Sequence, residues 1–158
     1  MDPTEGFVRG GTIGHRGLNL TFPTVREGRT IHSYGSGPFA KLVMPPLPEL
    51  PGVYLWVIND VVMYVGQTVG TLRNRLGPRG YATISGYNTL AREPGRVNGG
   101  QQTNCRINAL ANAVLTARRE IVLWYRVTDA TEAKALEAQW MGRFGMPPWN
   151  RRTERVSS

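Results

Sequence analysis

The chain has 158 residues, of which 41% are hydrophobic, and this is enough for one domain with a buried core. Nineteen basic residues oppose eleven acidic ones, and the formal charge of +8 favours a polyanionic partner, nucleic acid first, over a merely solvated basic surface. A single cysteine, Cys105, excludes an internal disulfide framework and a cysteine-rich zinc site. The first ten residues lack the apolar core of a signal peptide, and no apolar run has the ~20 residues of a membrane helix, so we expect a cytoplasmic protein.

The composition divides the chain into three parts. Residues 1–46 are rich in Gly, Thr, Ser and Arg with little periodicity, which predicts an irregular N-terminal extension that wraps the domain or a partner. The folded domain is expected over residues 47–150, after a stiff proline-rich approach. Residues 151–158 form a basic tail.

A β-hairpin is predicted in the first part of this domain. Two runs of β-branched and aromatic residues, 52–58 and 61–65, are separated by Asn59 and Asp60. A two-residue connection of this type between strand-like runs is typical of a tight hairpin turn.

The most informative feature is a pair of aromatic-glycine blocks on these two runs. Gly52 and Tyr54 belong to the first block, and Tyr64 and Gly66 belong to the second. A hairpin would bring the two phenols together, with a glycine that clears space beside them. Such an arrangement is more typical of a site than of a core.

The elements after the hairpin are helical apart from one strand. Leu72 and Leu76 are four residues apart, which predicts a short helix over 71–76. A long polar segment follows at 77–102, and a loop of this length in a compact domain is usually functional or mobile.

Thr103 is expected to cap a helix over 104–117, and residues 121–127 have the composition of a third strand. The final helix runs to Phe144 and stops at Gly145. The sequence therefore predicts an α/β fold with a small, three-stranded, mostly antiparallel sheet flanked by helices.

Glu137 stands out on the final helix because it falls within the apolar stripe. At about 100° per residue it lies about 40° from Ala133, on the side that also holds Leu136, Trp140 and Phe144. A carboxylate in that position needs an arginine, a hydrogen-bonding cage or a metal ion. The alternative is a carboxylate at the edge of the stripe, paired with a surface arginine.

Arg75 lies close to the apolar side of the short helix and can reach the end of the hairpin. Its planar, permanently charged guanidinium is suited to a phosphate, although a plain surface arginine is the alternative.

Taken in chain order, the two tyrosine blocks, Arg75, Glu137 and Asn150 resemble the GIY-YIG nuclease superfamily. The resemblance covers about residues 47–150. The segment 99–108 looks like the restriction-enzyme branch of that family.

The resemblance implies a three-stranded sheet flanked by helices and metal-dependent hydrolysis of phosphodiester bonds. Glu137 would hold one Mg²⁺ or Mn²⁺ ion, and Tyr54 would take a proton from the attacking water, directly or through a second water. Tyr64 would orient the water or a phosphate oxygen, while Arg75 would stabilise charge on the phosphate. Asn150, like Gly52 and Gly66, would give structural support.

One position departs from the family pattern. The family often places His or Tyr four residues after the helix arginine, where this chain has Arg79, with Tyr81 two residues further on. Either an insertion moves Tyr81 into place, or Arg79 acts as a second phosphate clamp.

Gln67, Thr103 and Arg106 are candidates for contacts with the nucleic-acid backbone, against a structural role for each. His15 and His32 lie outside the matched region and are expected to be surface residues rather than ligands.

The sequence thus predicts a restriction-like DNA endonuclease that acts on double-stranded DNA, with a possible homodimer. The alternatives are a non-catalytic nucleic-acid-binding or regulatory module on the same fold, and a repair or mobile-element nuclease. RNA as the substrate is also open.

Overall fold

The computed structural model describes residues 2–23, 25–26, 29–91 and 101–151. The basic tail beyond Arg151 and the second half of the predicted loop, 92–100, lie outside the described residues. No helix among the described residues is both long and apolar enough to cross a membrane.

The structure contains eight strands and three α-helices in the part of the chain that it describes. The strands are β1 (Val8–Thr12), β2 (Gly14–Leu20), β3 (Val25–Arg26), β4 (Arg29–Thr30), β5 (Phe39–Val43), β6 (Gly52–Ile58), β7 (Val61–Thr68) and β8 (Val122–Val127). The helices are α1 (Leu72–Leu76), α2 (Gln101–Thr116) and α3 (Ala133–Phe144).

The main sheet is antiparallel, in the order β1-β8-β6-β7, with β6 in its interior. The α/β class and the mostly antiparallel sheet are confirmed. The predicted number of three strands is wrong, because β1 pairs with the free edge of β8 and adds a fourth strand.

The prediction of an irregular N-terminal extension is also wrong in part. Strands β2 and β5 form a second antiparallel sheet, and Phe39, Ala40 and Leu42 on β5 are buried. The side chain of Asn108 joins α2 to β5. It accepts a hydrogen bond from the backbone amide of Ala40 and donates one to the carbonyl of the same residue. Burial of this apolar surface ties the N-terminal residues to the rest of the fold.

The hairpin β6–β7 forms where the sequence predicts it. Asn59 and Asp60 have φ of 49° and 63°, the left-handed conformation that a two-residue turn of this type requires. The opposed pairs include Tyr54 with Gly66 and Trp56 with Tyr64. The register therefore places both tyrosines on the same face of the sheet.

Every residue of β6 is buried because the sheet is covered on both faces. One face holds Tyr54 and Trp56, which pack with α1 and with Ile107 of α2. The other face holds Val53 and Leu55, which pack with Trp140 and neighbouring apolar residues of α3.

The helix boundaries follow local signals with one exception. Thr71 caps α1 by accepting a hydrogen bond from the backbone amide of Asn74, and Gly145 ends α3 with φ of 87°. Thr103 is not an N-cap, because α2 already begins at Gln101 and Thr103 lies in its first turn.

Candidate active site

The two predicted tyrosines lie side by side. The ring centroids of Tyr54 and Tyr64 are 6.3 Å apart, with an angle of 43° between the ring planes. Gly66 lies opposite Tyr54, and a Cβ atom there would overlap the Tyr54 ring. At Gly52 a Cβ atom would overlap the carbonyl of Arg126 on β8. Both positions therefore require glycine, because the Tyr54 ring approaches Gly66 and the backbone of β8 approaches Gly52 too closely for a side chain.

A third phenol joins them from the loop after α1. The hydroxyl of Tyr81 lies 3.0 Å from that of Tyr54 and 2.9 Å from that of Tyr64. Arg79, by contrast, is exposed. Of the two alternatives for this departure from the family pattern, the geometry favours the one in which Tyr81 moves into place.

Arg75 completes the group from α1. It donates from Nη2 to the Tyr81 hydroxyl at 2.9 Å, and its guanidinium lies 4.2 Å from the centre of the same ring. Burial lowers the pKa of this half-buried guanidinium, but the nearby phenols, Tyr81 first, outweigh burial and raise it. Arg75 therefore remains a fixed positive charge beside the three hydroxyls.

We call Tyr54, Tyr64, Tyr81 and Arg75 the phenol cluster. Its tyrosines are almost completely enclosed, with 1%, 6% and 0% of their surfaces exposed. Burial raises the pKa of all three phenols, and the positive charge of Arg75 only partly opposes it. All three are therefore neutral hydroxyls near neutral pH.

Three asparagines lie on one face of α2, two of them in contact with the cluster, and the sequence reasoning missed them. Asn104 accepts a hydrogen bond of 2.6 Å from Nη1 of Arg75, and Asn108 donates to the Tyr81 carbonyl at 2.7 Å. Asn112, one turn further, accepts from the backbone amide of Asn19 and donates to its side chain. The signal was available, since a spacing of four residues places all three on one helix face.

Asn150 fixes the strand that holds Tyr64. Its side chain accepts a hydrogen bond of 2.9 Å from the amide of Val65 and donates one of 2.8 Å to the carbonyl of the same residue. This pair of bonds joins the segment after α3 to β7.

Glu137 lies on α3, which packs against β6 and the edge strand β7. The side chain is half-buried, as its position at the apolar stripe predicts, and desolvation raises its pKa. It makes no hydrogen bond or ion pair with any residue that the structure describes. The apolar side chains of α3 cover the face of the sheet opposite the tyrosines, so Glu137 is not in the hydrogen-bonded cluster.

The remaining candidates are spread around this centre. Arg106 is buried, donates to the carbonyl of Trp149, and is close enough for its charge to lower the pKa of Tyr64. Gln67 is half-buried on β7 with a buried Oε1 that has no partner among the described residues, and Thr103 is half-buried on α2.

His15 is exposed, as expected, whereas His32 is buried and contacts the carbonyl of Asn88 through Nε2. The described residues contain no cluster of three or more His, Cys, Asp or Glu side chains that could hold a metal ion.

Comparison with known proteins gave no match: no protein-family model, no curated protein and no solved structure matches this chain.

Proposed function

We propose that the protein is a divalent-metal-dependent DNA endonuclease of the GIY-YIG type that hydrolyses phosphodiester bonds. The observation that supports this proposal most strongly is the convergence on one hydroxyl. Tyr54, Tyr64 and Arg75 come from three different elements, and each forms a hydrogen bond with the Tyr81 hydroxyl. Tyrosines and an arginine are the residue types that the resemblance to the family implies at the phosphate that reacts.

In the proposed reaction, water adds to phosphorus and the bond from phosphorus to the leaving oxygen breaks. A neutral phenol can take the proton of that water only if it passes its own proton on. The chain of hydroxyls from Tyr54 through Tyr81 to Tyr64 offers such a relay. In the proposal Tyr64 passes its proton to the leaving oxygen, so the proton lost by the attacking water is returned to the other product. Arg75 supplies a fixed positive charge for the oxygen atoms of the phosphate.

The chemistry of Glu137 fits the metal ion that the resemblance implies. It is a half-buried carboxylate without a protein partner among the described residues, and partial burial removes hydrating water and so raises its pKa. A bound cation would compensate that loss. One carboxylate with water and substrate oxygens suits Mg²⁺ or Mn²⁺, which would supply the charge that stabilises the leaving oxygen. Because α3 covers the face of the sheet opposite the tyrosines, the substrate would have to reach Glu137 and the phenol cluster across the edge strand β7.

Cleavage of plasmid DNA tests the proposal. Wild-type protein with Mg²⁺ or Mn²⁺ should nick or linearise the plasmid, and Glu137→Gln and Tyr54→Phe should each lower the rate at least about 100-fold. The matched controls are Glu120→Gln, an exposed carboxylate, and Tyr125→Phe, a half-buried tyrosine of β8. An intact plasmid under a broad set of metal and salt conditions, or equal cleavage by the Glu137 variant, would refute the assignment.

We further propose a restriction-like enzyme that cuts double-stranded DNA as a homodimer, because one such site cuts one strand. Residues 1–46 and the 77–102 segment would supply dimer and base contacts. Sedimentation in the presence and absence of duplex DNA should show a dimer, and a monomer in both conditions contradicts this part of the proposal. A repair or mobile-element nuclease would be distinguished by cleavage at DNA structures rather than at one sequence.

A second candidate function follows from the closure of the phenol cluster. Three neutral phenols with 6% exposure or less resemble a sealed core, which favours a nucleic-acid-binding or regulatory module without catalysis. Tight, metal-independent binding of DNA or RNA with no cleavage of either would support this candidate against the endonuclease.

A further inference from the structure

A groove next to the phenol cluster has the composition of a site for an anion. It lies between the turn around residues 33–37, the middle of α2 and the segment 148–151, and its volume is about 430 Å³. Leu110 and Trp149 form an apolar wall, while Ser33 and Ser36 contribute hydroxyls. Arg106 and Arg151 contribute two positive charges, and no acidic residue lines the groove.

Arg106 is the unusual residue of this groove. Only 9% of its surface is exposed, and it forms no ion pair with a carboxylate among the described residues. A guanidinium has five N–H donors, and the carbonyl of Trp149 is a neutral partner for one of them. A buried cation without a counter-ion is costly, so an anion is expected to complete this position.

The groove adjoins the phenol cluster through a short chain of aromatic contacts. The Trp149 ring lies 6.3 Å from Trp56, and Trp56 lies 6.3 Å from Tyr64 in an edge-to-face contact. Arg106 lines the groove, and its charge is near enough to Tyr64 to oppose in part the burial that raises the pKa of that phenol. An anion bound to Arg106 would therefore be close to the proposed reaction.

We infer that this groove binds one nucleotide of the nucleic-acid strand, next to the phosphate that reacts. The phosphate of that nucleotide is held by Arg106 and Arg151, and its sugar and base lie against Leu110 and Trp149. Pockets of this volume are large enough for such a ligand. That the ligand is part of a nucleic-acid strand rests on the proposed function, but nucleotide binding can be measured without cleavage.

Calorimetric titration with 5′-dAMP, with deoxyadenosine and with inorganic phosphate tests the inference. We expect 5′-dAMP to bind more tightly than either fragment. Arg151→Gln removes one charge, and Ser36→Trp fills the groove from an exposed position. Each should weaken 5′-dAMP binding about tenfold or more, the first because a charge-assisted hydrogen bond to the phosphate is lost and the second because the indole occupies the groove.

Arg119→Gln, an exposed arginine beyond the other end of α2, is the charge-matched control and should bind 5′-dAMP as the wild type does. Thermal melting of each variant verifies that the fold is retained. If 5′-dAMP binds in the groove and plasmid is never cut, the endonuclease proposal fails and the nucleotide site alone stands.

Three results overturn the inference while leaving the endonuclease proposal intact. They are no binding of 5′-dAMP at millimolar concentration, equal binding by Ser36→Trp, and inorganic phosphate binding as tightly as the nucleotide. The last result would indicate a simple anion site.

Discussion

Replacement of Tyr81 by Phe removes only one oxygen atom, yet that oxygen joins three hydrogen bonds. Two of them link phenols, at 3.0 and 2.9 Å, and the third, at 2.9 Å, comes from the guanidinium of Arg75. A neutral hydrogen bond contributes about 1 kcal/mol and a charged one about 1.5–3 kcal/mol. The three bonds together would give about 3.5–5 kcal/mol, but Arg75 keeps its bond to Asn104 and is only half-buried, so water replaces part of the charged bond. We therefore expect Tyr81→Phe to lower the free energy of unfolding by about 2–4 kcal/mol.

Urea denaturation at pH 7 measures this loss. With a slope of roughly 2 kcal/mol per molar urea, the unfolding midpoint should fall by about 1–2 M. Tyr125→Phe is the matched control, because Tyr125 is a half-buried tyrosine of the same sheet whose hydroxyl has no hydrogen bond to a described residue. Its free energy of unfolding should stay within about 0.5 kcal/mol of the wild-type value.

A double-mutant cycle sharpens the same test. If Tyr54 and Tyr81 share a hydrogen bond, the loss in Tyr54→Phe/Tyr81→Phe should be smaller than the sum of the single losses by about 0.5–3 kcal/mol. Additive losses, or a Tyr81→Phe loss below about 0.5 kcal/mol, would refute the hydrogen-bonded cluster as the source of stability.

Three further predictions concern single positions. Gly66→Ala should destabilise the fold by several kcal/mol, because the added methyl overlaps an aromatic ring, whereas Gly142→Ala, with nothing within 4 Å, should be neutral or stabilising in the same melts. Asn104→Ala should keep the fold and slow DNA cleavage about 10- to 100-fold, because Arg75 loses its orienting bond; unchanged cleavage would contradict this role. The raised pKa of Glu137 means that the unfolded state ionises first, so wild-type stability should fall as pH rises from the ordinary carboxyl range through the folded pKa. Glu137→Gln should lose that pH dependence and also any stabilisation by Mg²⁺ in thermal melts, and a retained Mg²⁺ effect would place the metal elsewhere.

Local signals in the sequence determined the secondary structure of residues 47–150, but not the strands of residues 1–46. The hairpin depends on two neighbouring runs and on Asn59 and Asp60, which tolerate the left-handed conformation. The end of α3 depends on Gly145 in the same way. These features involve residues that are close in sequence, so composition and periodicity were sufficient to predict them. The two tyrosines on one face followed from the same register.

Long-range contacts decided the rest. Nothing local to Val8–Thr12 shows that it pairs with a strand more than a hundred residues later, and that pairing made the sheet four-stranded. The choice between Arg79 and Tyr81 depended on the path of an irregular loop, which brings the Tyr81 hydroxyl to the two hairpin phenols. The periodicity of α3 predicted a half-buried Glu137, but only packing decides which face of the sheet a helix covers.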